Sequence, residues 1–330
     1  MGLEIKDLVK SYGDRVVVDH LSFAMDRPGV YALLGTNGAG KTTSLRMILG
    51  MLKRDEGEVL FNGKPLSTEE VNVGYLAEER GLYPKVTLMD QMLYFAALKN
   101  VPKKQAAERI KYWAEKLKLT EYFYPEPVMK KGRKVPAKPY KADQLSKGNQ
   151  QKVQLAATLV ADPDIVILDE PFSGLDPVNS QILKDVINEL IRVGKIVIFS
   201  SHQMSYVEEF CEDIVVINHG EVALAGNLDK IKEEYGEGHK AVAAVGMESE
   251  ELEQVLRDKF ADQVQVISHN KHHVVIQILS EQDEWQVLSR FKELGIRLRS
   301  YGVYEPSLND IFVSAGGGGG RQGEKKKKKK

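Results

Sequence analysis

One short stretch sets the architecture of this chain: Gly35-Thr36-Asn37-Gly38-Ala39-Gly40-Lys41-Thr42. It fits G-x-x-x-x-G-K-[ST], the pattern of a phosphate-binding loop. An apolar run at 30–34 predicts a buried parallel strand before it, and the apolar spacing of 43–49 predicts a helix after it. This strand–loop–helix context predicts a nucleotide site; the simpler alternative is a glycine-rich turn with an exposed lysine.

The loop composition suits the chemistry of holding a triphosphate. Glycines let backbone N–H groups approach phosphate oxygens and adopt unusual φ angles, and the helix N-terminus adds a further anion site. We expect Lys41 to pair with the β- and γ-phosphates and the Thr42 hydroxyl to ligate Mg²⁺.

Composition bounds the class of protein. A chain of 330 residues favours two domains, and a net charge of −1 gives no strong attraction to nucleic acid or acidic lipid. The single cysteine, Cys211, excludes an internal disulfide and fits a reducing cytosol. The charged N-terminus argues against a signal peptide, and no apolar run reaches the roughly 18–20 residues that span a bilayer. Any membrane role is therefore expected to come through a partner.

Paired acids follow a second apolar strand. Residues 165–168 predict a buried strand that ends in Asp169, suited to Mg²⁺, and Glu170, suited to deprotonating a water. His202 ends the next apolar strand, at 196–201. Alone such a histidine is more often structural, but beside these carboxylates it fits a sensor of the γ-phosphate.

Three other positions leave alternatives open. Ser146 predicts an N-cap for a helix at 150–160 and, with Gly148, a second anion site whose purpose the composition does not explain. Glu78 follows an apolar strand, where ligands collect in open α/β sheets, but a solvated turn is more usual. Tyr12 fits a base-stacking residue or an ordinary turn tyrosine equally well.

A helical insert interrupts the strand pattern. Residues 87–119 carry apolar residues at helical spacing, and 122–141 is rich in proline and lysine. We predict an extended loop for the second segment. Its basic residues suit contact with phosphates or lipid, although a solvated loop is the commoner role.

Taken together, these motifs resemble the ATP-binding subunit of ABC transporters along residues 3–235. The matching segments are Walker A (35–42), the signature (145–151), Walker B with its glutamate (165–170), the D-loop (173–176) and the switch histidine, His202. The resemblance implies an α/β P-loop NTPase fold. A RecA-like core, a β subdomain and a helical subdomain at about 85–160 would make up an ATP-binding domain spanning 1–236.

The resemblance also assigns roles. Family members pair head-to-tail with ATP held between the Walker A of one subunit and the signature of the other, which implies a homodimer or a paired ATP-binding subunit. Closure drives a transmembrane permease subunit, and hydrolysis reopens the pair. The implied residues are Glu170 and His202 for catalysis; Tyr12, Gly35, Thr36, Asn37, Gly38, Ala39, Gly40, Lys41, Thr42 and Thr43 for ATP; Ser146, Lys147, Gly148 and Gln150 for the partner's ATP; Asp176 for the D-loop; and Thr42, Glu78 and Asp169 for Mg²⁺.

One departure from the family pattern concerns Glu78, where glutamine is usual. The acidic side chain would add negative charge near the phosphates and is expected to slow hydrolysis or alter coupling. The stretch 74–84 resembles the bacterial sodium/drug-exporter subgroup, in which an acidic residue is found here. This implies an exporter, peripherally attached to the cytoplasmic face of the cell membrane.

The remainder predicts a second domain. Residues 239–314 show a βαββαβ pattern, which indicates a small α+β ferredoxin-like domain. It resembles the C-terminal accessory domain of exporter-type subunits. Three histidines at a hairpin turn, at 269, 272 and 273, have no cysteine or carboxylate beside them in the sequence, so we do not expect a metal site there. The Gly/Lys tail at 315–330 is expected to be disordered and suited to acidic lipid.

The rival class is a soluble ABC ATPase acting on ribosomes or DNA. Ribosome-acting members usually carry two cassettes in one chain, and repair-type members carry long coiled coils or zinc modules. This chain has one cassette, no sustained heptads and one cysteine, so we favour a membrane partner and expect no nucleic acid. An inactive binding module is disfavoured because Lys41, Asp169, Glu170 and His202 are all present.

Overall fold

The computed structural model describes residues 2–79, 81–131, 133–279 and 284–313. The chain divides into two compact units, Met1–Leu228 and Asp229–Val313, which are described separately. The predicted tail at 315–330 lies outside the described residues. Among the helices that are described, none is long and apolar enough to cross a bilayer.

The first unit is built from strands and helices that alternate through most of its length. Its strands are β1 (Leu3–Tyr12), β2 (Arg15–Met25), β3 (Gly29–Leu34), β4 (Glu56–Phe61), β5 (Lys64–Pro65), β6 (Val73–Leu76), β7 (Val128–Lys130), β8 (Arg133–Val135), β9 (Ile165–Asp169), β10 (Ile196–Ser201), β11 (Asp213–Asn218) and β12 (Glu221–Asn227). Its helices are α1 (Lys41–Ile48), α2 (Leu88–Leu98), α3 (Lys103–Lys116), α4 (Thr120–Phe123), α5 (Lys147–Leu159), α6 (Pro177–Arg192) and α7 (Met204–Phe210), and a 3₁₀ turn covers Ala142–Gln144.

The main sheet has the strand order β12-β11-β3-β10-β9-β6. Strands β11, β3, β10, β9 and β6 pair in parallel, and β12 is antiparallel. Every residue of β9 and of β10 is buried, as expected of a parallel sheet covered on both faces. Since neighbouring parallel strands end at the same edge, the segments that follow β3, β9 and β10 meet there.

A second, antiparallel sheet has the order β2-β1-β4-β5. The alternating apolar residues at 2–9 predict an edge strand, but this prediction was wrong, because β1 lies between β2 and β4. Alternating apolar residues show that one face of a strand is buried, but they do not show which strands pair with it. Leu3, Ile5 and Leu8 supply that buried face.

The insert between β6 and β9 is mainly helical, with α2, α3 and α5 packed together. The predicted extended loop at 122–141 was wrong in part. It contains the hairpin β7–β8, in which Val128 pairs with Val135. Prolines at 125, 127, 136 and 139 flank the hairpin and lie outside its paired strands, where a missing N–H breaks no ladder bond.

The second unit follows the predicted βαββαβ order and is preceded and closed by a helix. Its elements are α8 (Leu228–Gly236), β13 (His239–Ala244), α9 (Ser249–Lys259), β14 (Val264–His269), β15 (Val274–Ile278), α10 (Glu284–Glu293), β16 (Leu298–Val303) and α11 (Leu308–Phe312). The sheet order is β14-β15-β13-β16, antiparallel throughout. Phe260 and Phe291, from the ends of the two central helices, meet in the core with ring centroids 4.5 Å apart.

Candidate nucleotide-binding site

The phosphate-binding loop joins β3 to α1. It needs glycine at two positions where a backbone carbonyl oxygen lies too close for a Cβ atom. Gly40 has φ +107, and a Cβ there would lie 2.8 Å from the carbonyl oxygen of Val17. A Cβ on Gly35 would lie 2.6 Å from the carbonyl oxygen of Ile217. The loop is closed by the Ala39 N–H, which donates to the Thr36 carbonyl at 3.1 Å. The N-cap residue of α1 is Gly40, which has no side chain to accept a hydrogen bond. The first N–H groups of α1 are therefore open to an anion.

Lys41 lies under this loop and is only 6 % exposed. Its ammonium donates to the carbonyl oxygens of Gly35, at 2.9 Å, and Thr36, at 3.3 Å. It also lies 3.7 Å from Oε1 of Glu170. The cation is therefore held at the loop by two carbonyls and a carboxylate.

Asp169 is contacted by side chains from three different elements. Oδ1 accepts from the Ser200 hydroxyl at 2.5 Å and lies 3.4 Å from the Thr42 hydroxyl oxygen. Oδ2 accepts from the Tyr75 hydroxyl at 3.3 Å. Burial, reinforced by the charge of Asp169, raises the pKa of Tyr75, so this phenol remains a donor. The carboxylate is thus fixed beside Thr42, and the Mg²⁺ roles of the two residues stay predictions.

Glu170 has a strained backbone, with φ +50. Its N–H donates to the Ser200 hydroxyl oxygen at 3.0 Å, and its Oε2 lies 2.9 Å from Nδ1 of His202. For a hydrogen bond to the carboxylate, Nδ1 of His202 must carry the proton. A left-handed conformation in a non-glycine residue persists only where its surroundings fix it, and the Ser200 hydroxyl is one such restraint.

Part of the phosphate-binding loop lines a cavity of about 480 Å³ together with Glu170 and His202, and this volume is in the range of small-molecule sites. It brings together several predicted residues: Asn37, Gly38, Gly40, Lys41, Thr42, Thr43, Glu78, Glu170 and His202. Arg15 and Val17, both on β2, also line it and were missed by the sequence reasoning. Tyr12 pairs with Arg15 across the β1–β2 turn and is 54 % exposed. It is not among the described residues that line this cavity, so its role in stacking on the base stays a prediction.

Ser200 is a further residue of the site that the sequence reasoning missed. Ser200 is the direct partner of Asp169 in the register of the parallel strands β9 and β10. A small polar residue level with a buried carboxylate on the next strand is a natural hydrogen-bond donor. Finding it requires the order of the strands, which the sequence does not state.

The signature residues lie on a different surface. Ser146 caps α5 and accepts from the Asn149 N–H at 3.3 Å, and the amide of Gln150 donates to the Ala142 carbonyl at 2.9 Å. Lys147 is exposed. Within the described chain, the 480 Å³ cavity includes none of the predicted signature residues, which are Ser146, Lys147, Gly148 and Gln150.

The D-loop packs against this signature surface. Asp176 caps α6 and accepts from the backbone N–H of Asn179 at 2.9 Å and from its side-chain amide at 2.6 Å. Both hydrogen bonds hold the pKa of Asp176 below its usual range, and the bond from the backbone N–H has the larger effect. A Cβ on Gly148 would lie 3.2 Å from the same Asn179 amide, so a larger residue would press on the side chain that bonds to Asp176.

Two family models match this chain. A family model described as "ABC transporter" matches residues 18–173, and one described as "ATP-binding protein DrrA1-3-like, C-terminal domain" matches residues 226–315.

Similar proteins carry consistent names. The chain is 36 % identical to the uncharacterized ABC transporter ATP-binding protein YhaQ of Bacillus subtilis, over 94 % of this chain and 97 % of that protein. It is 33 % identical to the ABC transporter ATP-binding protein NatA of the same organism, over 69 % of this chain and 86 % of that protein. A solved ATP binding subunit of an ABC transporter is 28 % identical, with a TM-score of 0.61, and covers 72 % of this chain and 94 % of its own. The chain belongs to the family of ABC transporter ATP-binding proteins, whose ATP-binding domain hydrolyses ATP.

Proposed function

We propose that this chain is the ATP-hydrolysing subunit of an ABC exporter, paired head-to-tail with a second copy. The pair would act from the cytoplasmic face of the cell membrane on a separate transmembrane permease subunit. One observation carries the proposal: groups suited to binding phosphate occur on two separate surfaces, the Walker A cavity and the signature end of α5. Two such half-sites on one chain are explained if each completes the site of a partner.

Each residue has a defined task in this scheme. Lys41 and the first N–H groups of α1 would neutralise the β- and γ-phosphates. Glu170 would take a proton from the attacking water, with His202 holding Oε2 at 2.9 Å. In phosphoryl transfer such positioning and charge stabilisation provide most of the rate enhancement. From the partner, Ser146 and Gly148 would contact the γ-phosphate.

The donor set beside Lys41 fits Mg²⁺. Thr42 and Asp169 present a hydroxyl and a carboxylate 3.4 Å apart, and Glu78 lines the cavity together with Thr42. Mg²⁺ prefers such oxygen ligands together with substrate phosphates. When bound, the ion supplies positive charge against the phosphates. The roles of Thr42, Asp169 and Glu78 as its ligands are part of this proposal.

The export direction rests on the likeness of residues 74–84 to the sodium/drug-exporter subgroup. That stretch places Glu78 in the cavity where the wider family has glutamine. Its carboxylate lies in the same lining as Thr42 and Lys41, so it alters the charge that the phosphates meet.

Purification of the full chain from native membranes tests the partner assignment. We expect a polytopic membrane protein to co-purify, and ATP hydrolysis by that complex to be lost in Lys41→Ala while the partner is retained. Lys53→Ala, which changes an exposed lysine outside the cavity lining, is the matched control. Recovery with ribosomes or DNA alone would overturn the proposal in favour of a soluble ATPase.

A further inference from the structure

The second unit contains a small cavity of its own, at the start of α9. It has a volume of about 220 Å³ and is lined by the β13–α9 turn, the β14–β15 turn and β16. Sites for drug-sized ligands measure roughly 300–1,000 Å³. The cavity is therefore of a size for a small ion or a single chemical group.

Backbone donors are available at this helix end. The first backbone bond of α9 runs from the Leu252 N–H to the Glu248 carbonyl, and Glu248 at the N-cap makes no side-chain cap bond. The N–H groups of Ser249, Glu250 and Glu251 therefore have no acceptor among the described residues. In a helix of 11 residues these groups carry partial positive charge and attract anions.

A buried hydroxyl also lines the cavity. Ser249 is 7 % exposed and is one of the lining residues. In the part of the chain that is described, its hydroxyl has no hydrogen-bond partner. The hydroxyl is therefore free to donate a hydrogen bond to a ligand in the cavity.

Cationic side chains face the helix end from two other elements. Lys271 and His272 lie in the β14–β15 turn, and Arg299 lies on β16. Arg299 Nη2 donates to the His272 carbonyl at 2.7 Å, which leaves its other guanidinium N–H groups for a ligand. The turn is ordered by Asn270, whose Oδ1 accepts from the His272 N–H at 2.8 Å. Lys271 makes no ion pair with any described residue.

The acidic residues nearby are mostly directed elsewhere. Glu250 lies 3.9 Å from Nε2 of His269, and Glu253 pairs with Nδ1 of the same ring. Glu248 is exposed and is the acidic member of the cavity lining. Glu251, in the first turn of α9, is exposed and lies outside the cavity lining. Within the lining itself, two permanent cations and a histidine face one carboxylate, which favours an anionic ligand.

We propose that this cavity binds a small oxyanion of the phosphate class, either free inorganic phosphate or the phosphate of a phosphomonoester. The Ser249 hydroxyl and the α9 N–H groups donate to its oxygens, and Lys271 and Arg299 neutralise its charge. Charge-assisted hydrogen bonds of this kind are about twice as strong as neutral ones. The site belongs to the second unit and does not depend on the proposed transport function.

The test uses the full chain with Lys41→Ala, so that phosphate binding at the Walker A loop does not interfere. Inorganic phosphate is titrated at constant ionic strength while the amide resonances of Ser249 and Glu250 are followed by NMR. We expect saturable shifts at millimolar phosphate, and about tenfold weaker binding in Lys271→Gln or Ser249→Ala, since each loses a charge-assisted bond. Glu248→Gln should bind more tightly because it removes a like charge.

Lys259→Gln, in the last turn of α9, is the matched control because it removes the same charge outside the cavity lining and should leave binding unchanged. Glycerol 3-phosphate forms the second arm: tighter binding than inorganic phosphate assigns a phosphomonoester, and weaker binding assigns the free ion. Absence of saturable shifts would overturn the proposal. So would shifts that Lys271→Gln and Ser249→Ala, both with native spectra, leave unchanged.

Discussion

Ser200 offers a sharp test of how the carboxylates of Asp169 and Glu170 are held. It is fully buried, and its single hydroxyl donates to Asp169 and accepts from the Glu170 N–H. Ser200→Ala removes both bonds without touching Lys41 or the phosphate loop. Ser200 is thus a positioning residue, and its loss should affect the chemical step more than ATP binding.

The size of the effect follows from these two bonds. A hydrogen bond to an ionised group is worth about 1.5–3 kcal/mol, and a buried N–H left without a partner costs about 1–3 kcal/mol. Because one hydroxyl makes both bonds, the terms overlap, and we expect a loss of about 3 kcal/mol in the free energy of unfolding. A general base contributes about 10²–10⁴ to the rate, so partial misplacement of Glu170 should lower kcat about 10- to 100-fold.

The assay is steady-state phosphate release, which gives kcat and KM, combined with thermal unfolding. We expect KM for ATP to change by less than about threefold, since the binding groups are intact. Ser180→Ala is the control, because Ser180 is equally buried but bonds to Tyr206 on α7. An unchanged kcat in Ser200→Ala, or an equal loss in Ser180→Ala, would refute the reasoning.

Three further predictions concern single residues. Gly40→Ala should abolish ATP binding, measured by displacement of a fluorescent nucleotide, because its Cβ would lie 2.8 Å from the Val17 carbonyl oxygen at a positive φ; wild-type affinity would contradict this. Glu78→Gln removes a negative charge from the cavity and should tighten ATP binding several-fold; weaker binding would show that the carboxylate aids it. Cys211 should resist a thiol reagent in the folded chain, because it is 8 % exposed and burial raises the pKa of its thiol. One thiol should react after denaturation, and rapid labelling of the native chain would count against the burial.

The sequence allowed the motif-bearing part of the fold to be predicted because each motif spans a strand, a turn and a helix start. Lys41 begins a helix and Asp169 ends a strand, and the local sequence pattern alone identifies both positions. Contacts between distant segments were harder to foresee. Ser200 and Arg15 reach the site only through strand register and the position of the second sheet, which depend on pairing between remote parts of the chain.

The hairpin β7–β8 shows the same limit at the level of secondary structure. Its strands have three residues each and carry little apolar alternation. A short polar hairpin is stabilised by strand pairing, which the composition does not reveal. The prolines and lysines of this segment, by contrast, are evident in the sequence and suggested a loop.

The predicted domain boundary at 236 falls at the end of α8. The roles of the signature residues stay predictions.

Nucleotide-dependent dimerisation tests the central claim most directly. Glu170→Gln should bind ATP without hydrolysing it, and light scattering should then report twice the 37.0 kDa of one chain with ATP and Mg²⁺, and one chain without nucleotide. Adding Ser146→Asp keeps an N-cap for α5 but sets a negative charge against the partner's γ-phosphate. The account predicts that this double variant binds ATP as a monomer. A Glu170→Gln chain that stays monomeric at saturating ATP, or a dimer that survives Ser146→Asp, would contradict it.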